Sequence, residues 1–270
     1  MFQNNVLLVV LYKETLASST TIHSFLKSRK YHKKIKLIIW DNSPNKIEDF
    51  SLLNDYNLSF KYIWTPENLP LSVIYNQVIE NIINADFLFL FDQDSSFNDV
   101  YFDEFFCSLN DNLDLKLFLP LIKNQNRIVS PGLFWIYKGV YIRENIGGRI
   151  SSKNILAVSS GMIIRINIFR ESPLKFDENL SLYGIDSKFL LDYSEFYKEL
   201  FVLNYELKHN LSQFIVESKD VKLQRMKKYM GSWLYILKNK TPFGYAIACF
   251  VWSIKFLLFY ISPSFLKDKV

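Results

Sequence analysis

The 270-residue chain predicts an α/β fold with a mainly parallel central sheet and flanking helices. Three observations carry that expectation. Short apolar runs recur at 6–11 (VLLVVL), 35–40 (IKLIIW) and 87–91 (FLFLF), the pattern of strands covered on both faces. Segments with helix-start signals separate them, as crossover connections between parallel strands require. Finally, each of these runs ends in polar residues, and ligands of open parallel sheets bind beyond the carboxyl ends of the strands.

The first strand, Val6 to Leu11, is followed by a Ser/Thr-rich stretch able to cap a helix from about Thr20 to Lys30. The second, Ile35 to Trp40, breaks at the turn Asp41-Asn42-Ser43-Pro44. Phe60 to Trp64 reads as a weaker third strand, and Pro70 sits well in the first turn of a helix over 71–83. Phe87 to Phe91 is the fourth strand. Further on, 115–122 and 156–166 each have room for a strand, with Ser159-Ser160-Gly161 interrupting the latter. Residues 176–193 read as a polar loop feeding a helix, and 200–207 as a late strand ending before His209.

Composition narrows the class of protein. Nearly half the residues are apolar, enough for a sizeable core, and the formal charge is only +5. Basic residues are dispersed through most of the chain, which is not the footprint of a nucleic-acid groove. They gather late, at Lys227, Lys228, Lys238 and Lys240. Cys107 and Cys249 match no metal or redox spacing. The N-terminus lacks the charged start and cleavage site of a signal peptide, so a cytoplasmic location is expected. The expected organisation is one large domain at 1–215, with halves at about 1–120 and 121–215, and a helical segment at 216–270.

Asp92 and Asp94 stand one residue apart where the oiliest strand ends. Two such carboxylates cannot both be buried unpaired, since each desolvated charge costs several kcal/mol. Either they bind backbone in a tight turn, or they share a cation; hard oxygen ligands suit Mg²⁺ or Mn²⁺ together with substrate phosphates. Asp41 has the same two readings: D-N-S-P is good turn chemistry, and its place on the same rim favours a ligand. A nucleotidyltransferase would also use a carboxylate pair, but the stretch from Tyr12 to Ser19 is not the Gly-rich basic phosphate loop that such an enzyme needs.

Taken in order, Y-K-E at 12–14, D-N-S at 41–43, E-N at 67–68, Asn76, D-Q-D-S at 92–95, S-S-G-M at 159–162 and F-D-E…G-I-D at 176–186 resemble the family 2 glycosyltransferases. Those enzymes have the GT-A fold, and D-Q-D-S is most similar to their rhamnosyltransferase-type branch. The resemblance covers about residues 5 to 215. It implies that Tyr12, Glu14 and Asp41 surround a nucleotide base and ribose, with Asn68 and Asn76 also on the nucleotide side. Asp92 would approach the ribose or metal, and Asp94 would hold a Mn²⁺ or Mg²⁺ bridging the donor diphosphate. Asp186 matches the catalytic base, unless it is only the N-cap of the next helix. His209 matches a late metal-side histidine. Asn68-Leu69-Pro70 departs from the pattern, since relatives place Gly after the Asn.

The activity so implied is inverting transfer from a nucleotide-diphospho sugar, dTDP-rhamnose or a UDP-sugar, to a glycan, lipid-linked or free, in bacterial surface polysaccharide synthesis. The rival is a non-catalytic nucleotide-sugar-binding or scaffold protein that kept the fold. The apolar segment 243–261 has three readings: a helix lying in the membrane interface, a core helix, or a membrane span. The first puts Trp233, Tyr235, Tyr245, Trp252 and Tyr260 at headgroup level and the enzyme on the cytoplasmic face of the inner membrane.

Overall fold

The structure is a computed structural model that describes residues 4–56, 58–124, 127–142, 146–208 and 219–261. It divides into two units, Met1–Leu133 with Tyr141–Asn210, and Phe134–Val140 with Leu211–Val270.

The first unit opens with β1 (Asn5–Leu11), all of it buried, then α1 (Thr20–Lys27) and β2 (Ile35–Asp41). After the single turn α2 (Ser51–Asn54) come β3 (Phe60–Trp64), α3 (Leu71–Asn81), β4 (Phe87–Asp92) and α4 (Asp99–Asp111). The sheet order begins β3-β2-β1-β4, every pair parallel. The register sets Leu11 beside Asp41 and Val10 beside Asp92, so the polar residues that follow β1, β2 and β4 emerge on one rim.

Beyond β4 the sheet changes character. β5 (Leu117–Asn124), β6 (Arg127–Ser130), β7 (Gly132–Trp135), β8 (Lys138–Tyr141), β9 (Gly148–Ser151) and the short β10 (Ile155–Leu156) lead to β11 (Met162–Arg165). β11 inserts antiparallel between β4 and β5. After α5 (Ile168–Glu171) and α6 (Ile185–Phe196), β12 (Glu199–Leu207) pairs parallel with β5 and antiparallel with β9. Six strands of the main sheet therefore run one way, with β11, β9 and β6 opposed. Pro120, expected at a boundary between halves, lies inside β5; the β5–β12 register shifts opposite it, between Val202 and Glu206, because proline cannot donate to the ladder. Both halves share one core.

That core is aromatic. Phe87, Phe89, Tyr101, Phe102, Phe105 and Phe118 are fully buried where α4 lies on the sheet, and their rings meet edge-on, as Phe89–Phe105 do at 5.2 Å.

The second unit holds α7 (Lys219–Lys240) and α8 (Pro242–Ile261) with the 134–140 hairpin tip. Trp233, Ile236, Leu237, Ala248 and Trp252 are buried within it, and Phe134 stacks on Trp233 at 6.0 Å. Trp233 and Trp252 are thus core residues and not headgroup anchors, a correction to their expected place. The side chain of Tyr260 lies outside the described residues. Among the described residues no helix is long and apolar enough to cross a membrane. The expected boundary at 215 also lies outside the described residues.

Candidate functional site

The turn after β4 is held by its neighbours' hydroxyls. Thr21 Oγ1 donates to the Asp92 carbonyl and accepts from the Ser95 amide at 2.9 Å. Ser19, which caps α1 by accepting from the Ile22 amide, also donates to the Gln93 carbonyl at 2.8 Å. Gln93 in turn accepts the Tyr12 amide at 2.8 Å, tying this turn to the end of β1. On the other side Ser160 Oγ sits 2.5 Å from Ser95 Oγ and accepts the Asp92 amide at 3.3 Å. Ser95 and Ser160 are fully buried, so their pairing satisfies groups that would otherwise be costly to bury. The Ser96 amide donates to the Lys208 carbonyl at 2.9 Å, which brings the end of β12 to the same turn. His209 itself lies outside the described residues.

Gly161 explains why this corner is tight. Its φ is +78°, and a β-carbon there would meet Leu207 and Pro120 side-chain carbons at 2.7 Å. Only glycine fits, and it sets Ser159 and Ser160 against the Asp92 turn.

Asp186 arrives from the far end of the sequence. Gly184, with φ +78°, ends the preceding loop and α6 begins at Ile185. The Ser187 amide donates to the Asp186 carboxylate at 2.6 Å, so Asp186 does sit at a helix start. It does more than that. Burial pushes its carboxyl up from 3.8 to about 6, and the nearby Asp92 charge adds to the rise, against the lowering pull of the Ser187 and Ser159 amides. Tyr75 sits beside both: burial first, then the charges of Asp92 and Asp186, raise its phenol, whose hydroxyl is 3.4 Å from Ser159 Oγ. Asp92 and Asp186, distant in sequence, therefore share one electronegative site.

The loop carrying Asp186 is fixed to α3. The Leu71 amide donates to the Ser181 carbonyl and Ser72 Oγ to that of Leu180. Asn76 donates both amide hydrogens, to the Phe176 carbonyl at 2.9 Å and to Glu178 at 2.8 Å, and accepts from the Phe176 amide at 3.0 Å. Expected on the nucleotide side, Asn76 here holds the 176–178 segment.

Asp41 is fully buried and accepts three hydrogen bonds, from the Ser43 and Ile47 amides at 3.1 Å and from Tyr62 at 2.6 Å. It organises the loop after β2, the turn chemistry that D-N-S-P foretells. Asn42 continues this network, donating to Asn68 at 3.1 Å and to the Leu69 carbonyl, and accepting from the Leu69 amide. Asn68 has φ 49°, a conformation that asparagine tolerates better than most residues. Tyr12 is exposed on the rim, and Lys13, with φ 52°, donates its amide to Ser43 at 2.7 Å. Glu14 is partly exposed in the same segment.

Among the described residues no three His, Cys, Asp or Glu side chains converge as a metal-binding group. Asp92 and Asp94 still fit a hard divalent ion as a donor set, because Mg²⁺ and Mn²⁺ sites commonly join one or two carboxylates to substrate phosphates. The Asp92 charge that adds to the rise of Asp186 is what such a cation would offset. Tyr75 and Thr21 were not singled out from sequence: Tyr75 hides in the apolar stripe of α3, and Thr21 looks like an ordinary helix residue.

No family model and no curated protein matches the sequence. Solved structures do. The chain is similar to residues 1–349 of TarS from S. aureus (TM-score 0.56, 14% identity, covering 98% of this chain and 76% of that one). It is similar to the same protein in complex with UDP-GlcNAc (0.58, 14%, 99% and 76%). The likeness extends to GalNAc-T7 with UDP, GalNAc and Mn²⁺ (0.62, 13%, 88% and 48%). At such identities the likeness defines the fold, and the fold is GT-A.

Proposed function

We propose that this protein is a glycosyltransferase that moves a sugar from a nucleotide-diphospho donor to a glycan hydroxyl with inversion. The observation that carries the reading is that Asp186, at the start of α6, lies close enough to Asp92 and Tyr75 to feel their charge and polarity, with burial holding its carboxyl near 6. A general base works best when its pKa lies near the operating pH. Asp186 takes the proton of the acceptor hydroxyl as its oxygen bonds to the anomeric carbon. The bond from that carbon to the diphosphate breaks, and the electron pair leaves with the nucleoside diphosphate.

Asp94 and Asp92 would hold the divalent ion, Mn²⁺ or Mg²⁺, which offsets charge on the departing diphosphate. Tyr12 and Glu14 would face the base and ribose, with Asp41 and Asn68 shaping that wall from behind. His209 keeps its proposed place on the metal side. The fold shared with proteins described with UDP, UDP-GlcNAc and Mn²⁺ supports the donor class. Within it we favour dTDP-rhamnose or a UDP-sugar, a lipid-linked glycan acceptor of surface polysaccharide synthesis, and work at the cytoplasmic face of the inner membrane.

The test is release of nucleoside diphosphate from a panel of UDP-, dTDP- and GDP-sugars incubated with a bacterial lipid-linked glycan extract. Turnover of one donor by the native chain, and at least a hundredfold less by Asp186→Asn, supports the proposal. Equal release by both rejects Asp186 as the base; donor binding without turnover in either favours the scaffold protein.

A further inference from the structure

The second unit presents an apolar stripe to solvent that its own packing does not use. Within α8, Gly244, Ala248 and Trp252 are buried. On the opposite side Phe243 is 72% exposed, Phe250 68%, Ile254 42% and Leu257 60%. Their spacing, seven and then four and three residues, places all four on one helix face. Apolar exposure of this extent along one face marks an interaction site.

The hairpin tip adds to that face. A β-carbon on Gly244 would lie 2.2 Å from the Ile136 carbonyl, so the start of α8 and the tip touch. Trp135 and Ile136 are exposed there, and Ile136 has φ 55°. A β-branched residue in the left-handed region is a strained choice for a turn where glycine or asparagine would serve. It leaves an isoleucine exposed at the tip.

Charge selects the occupant. The second unit's segments carry eleven Lys and Arg against three Asp and Glu, while the rest of the chain carries 21 against 24. The exposed Lys238 lies just before α8 and the exposed Lys255 within it, beside Ile254. A second copy of so basic a unit would repel it. An oppositely charged, apolar-cored surface would not. We propose that this face docks in the plane of a bilayer rich in anionic lipid, with Phe243, Phe250, Ile254, Leu257, Trp135 and Ile136 entering the interface and the lysines meeting the headgroups.

The inference stands apart from the transfer chemistry, because it is read without any sugar donor. The full chain is floated with vesicles of phosphatidylcholine alone or with 30% phosphatidylglycerol, at low and high salt. Expected is at least tenfold tighter binding to the anionic vesicles, weakened by salt. Phe250→Glu with Leu257→Glu should lose it, and Lys238→Glu with Lys255→Glu should weaken it about tenfold. All variants should keep native circular dichroism. Equal, weak partition to both vesicles by the native chain overturns the proposal. So does sedimentation that shows a dimer which the Phe250→Glu, Leu257→Glu variant dissolves, since the stripe is then covered by a second copy.

Discussion

Replacing Asp186 with Asn should stabilise the folded protein while abolishing transfer. The raised carboxyl sets the magnitude. Its ordinary value is 3.8 and its folded value about 6. Below pH 4 the carboxyl is protonated in both folded and unfolded chains, and it costs the fold nothing. As pH rises from 4 to 6 the unfolded chain loses this proton first, so stability falls; above about 6 the full cost remains. At about 1.4 kcal/mol per pH unit, that cost is roughly 3 kcal/mol.

Asp186 is only partly buried, so solvent screens some of it. The charge also gains about 0.3–1 kcal/mol at the start of α6 that Asn would forgo. A net gain of about 1–2 kcal/mol at pH 8 follows, or roughly 3–6 °C in Tm for a chain this size. Thermal melts of native protein and Asp186→Asn at pH 4.5 and pH 8, without metal or nucleotide, measure it. The variant's advantage should be full at pH 8 and fall to about a third of that at pH 4.5. An advantage equal at both values, or a variant less stable at pH 8, would refute the reasoning that this carboxylate is held at a cost.

Three further outcomes follow from the same geometry. Asp92→Asn removes the charge that helps raise Asp186, so the acid-side change in stability should move to lower pH, read as Tm across pH 4 to 7. Asn76→Ala strips three hydrogen bonds from the loop that leads to Asp186 and should cost about 2–3 kcal/mol in denaturant unfolding. In the transfer assay it should lower kcat while leaving nucleotide affinity within twofold, because the hydrogen bonds of Asn76 go to that loop. Gly161→Ala forces a β-carbon to 2.7 Å from Pro120 and Leu207 at a positive φ; a loss of more than about 2 kcal/mol is expected in the same unfolding experiment.

The strands of the first half were legible because a parallel strand buried on both faces must be apolar throughout, and Phe87–Asp92 is that rule in plain form. The rim followed from them: once β1, β2 and β4 are parallel, Tyr12, Asp41 and Asp92 have one side to emerge on. β11 was less legible, since nothing in Met162–Arg165 says that it runs antiparallel between β4 and β5. The α4 helix went unread although Asn98 caps it and Tyr101, Phe105 and Leu109 recur every fourth residue; its aromatics obscured the period.

Within the site, carboxylates stand out in a sequence because burying them demands a reason, whereas hydroxyls do not. Thr21, Ser95 and Ser160 hold the Asp92 turn, yet Thr21 is an unremarked helix residue, and Ser95 and Ser160 stand out only as members of D-Q-D-S and S-S-G-M, until the fold brings them together. Asp41 and Asn76 were legible as special, but their hydrogen bonds to Ile47, Tyr62 and Phe176 were not, because these depend on loops that local pattern does not specify. The aromatic tail misled for a related reason: Trp233 and Trp252 resemble interface anchors in sequence, while packing of α7 on α8 buries them and exposes Phe243, Phe250 and Leu257 instead.

The central claim is that Asp92 and Asp94 hold a divalent ion for a nucleotide diphosphate. Calorimetric titration of UDP, dTDP and GDP into the protein, with and without Mn²⁺ and repeated on Asp94→Ala, tests it most directly. The account predicts that one of the three binds, that binding needs Mn²⁺, and that Asp94→Ala weakens it by at least tenfold. Metal-independent binding that survives Asp94→Ala, or no binding of any of the three, would contradict it and reduce the two carboxylates to builders of a turn.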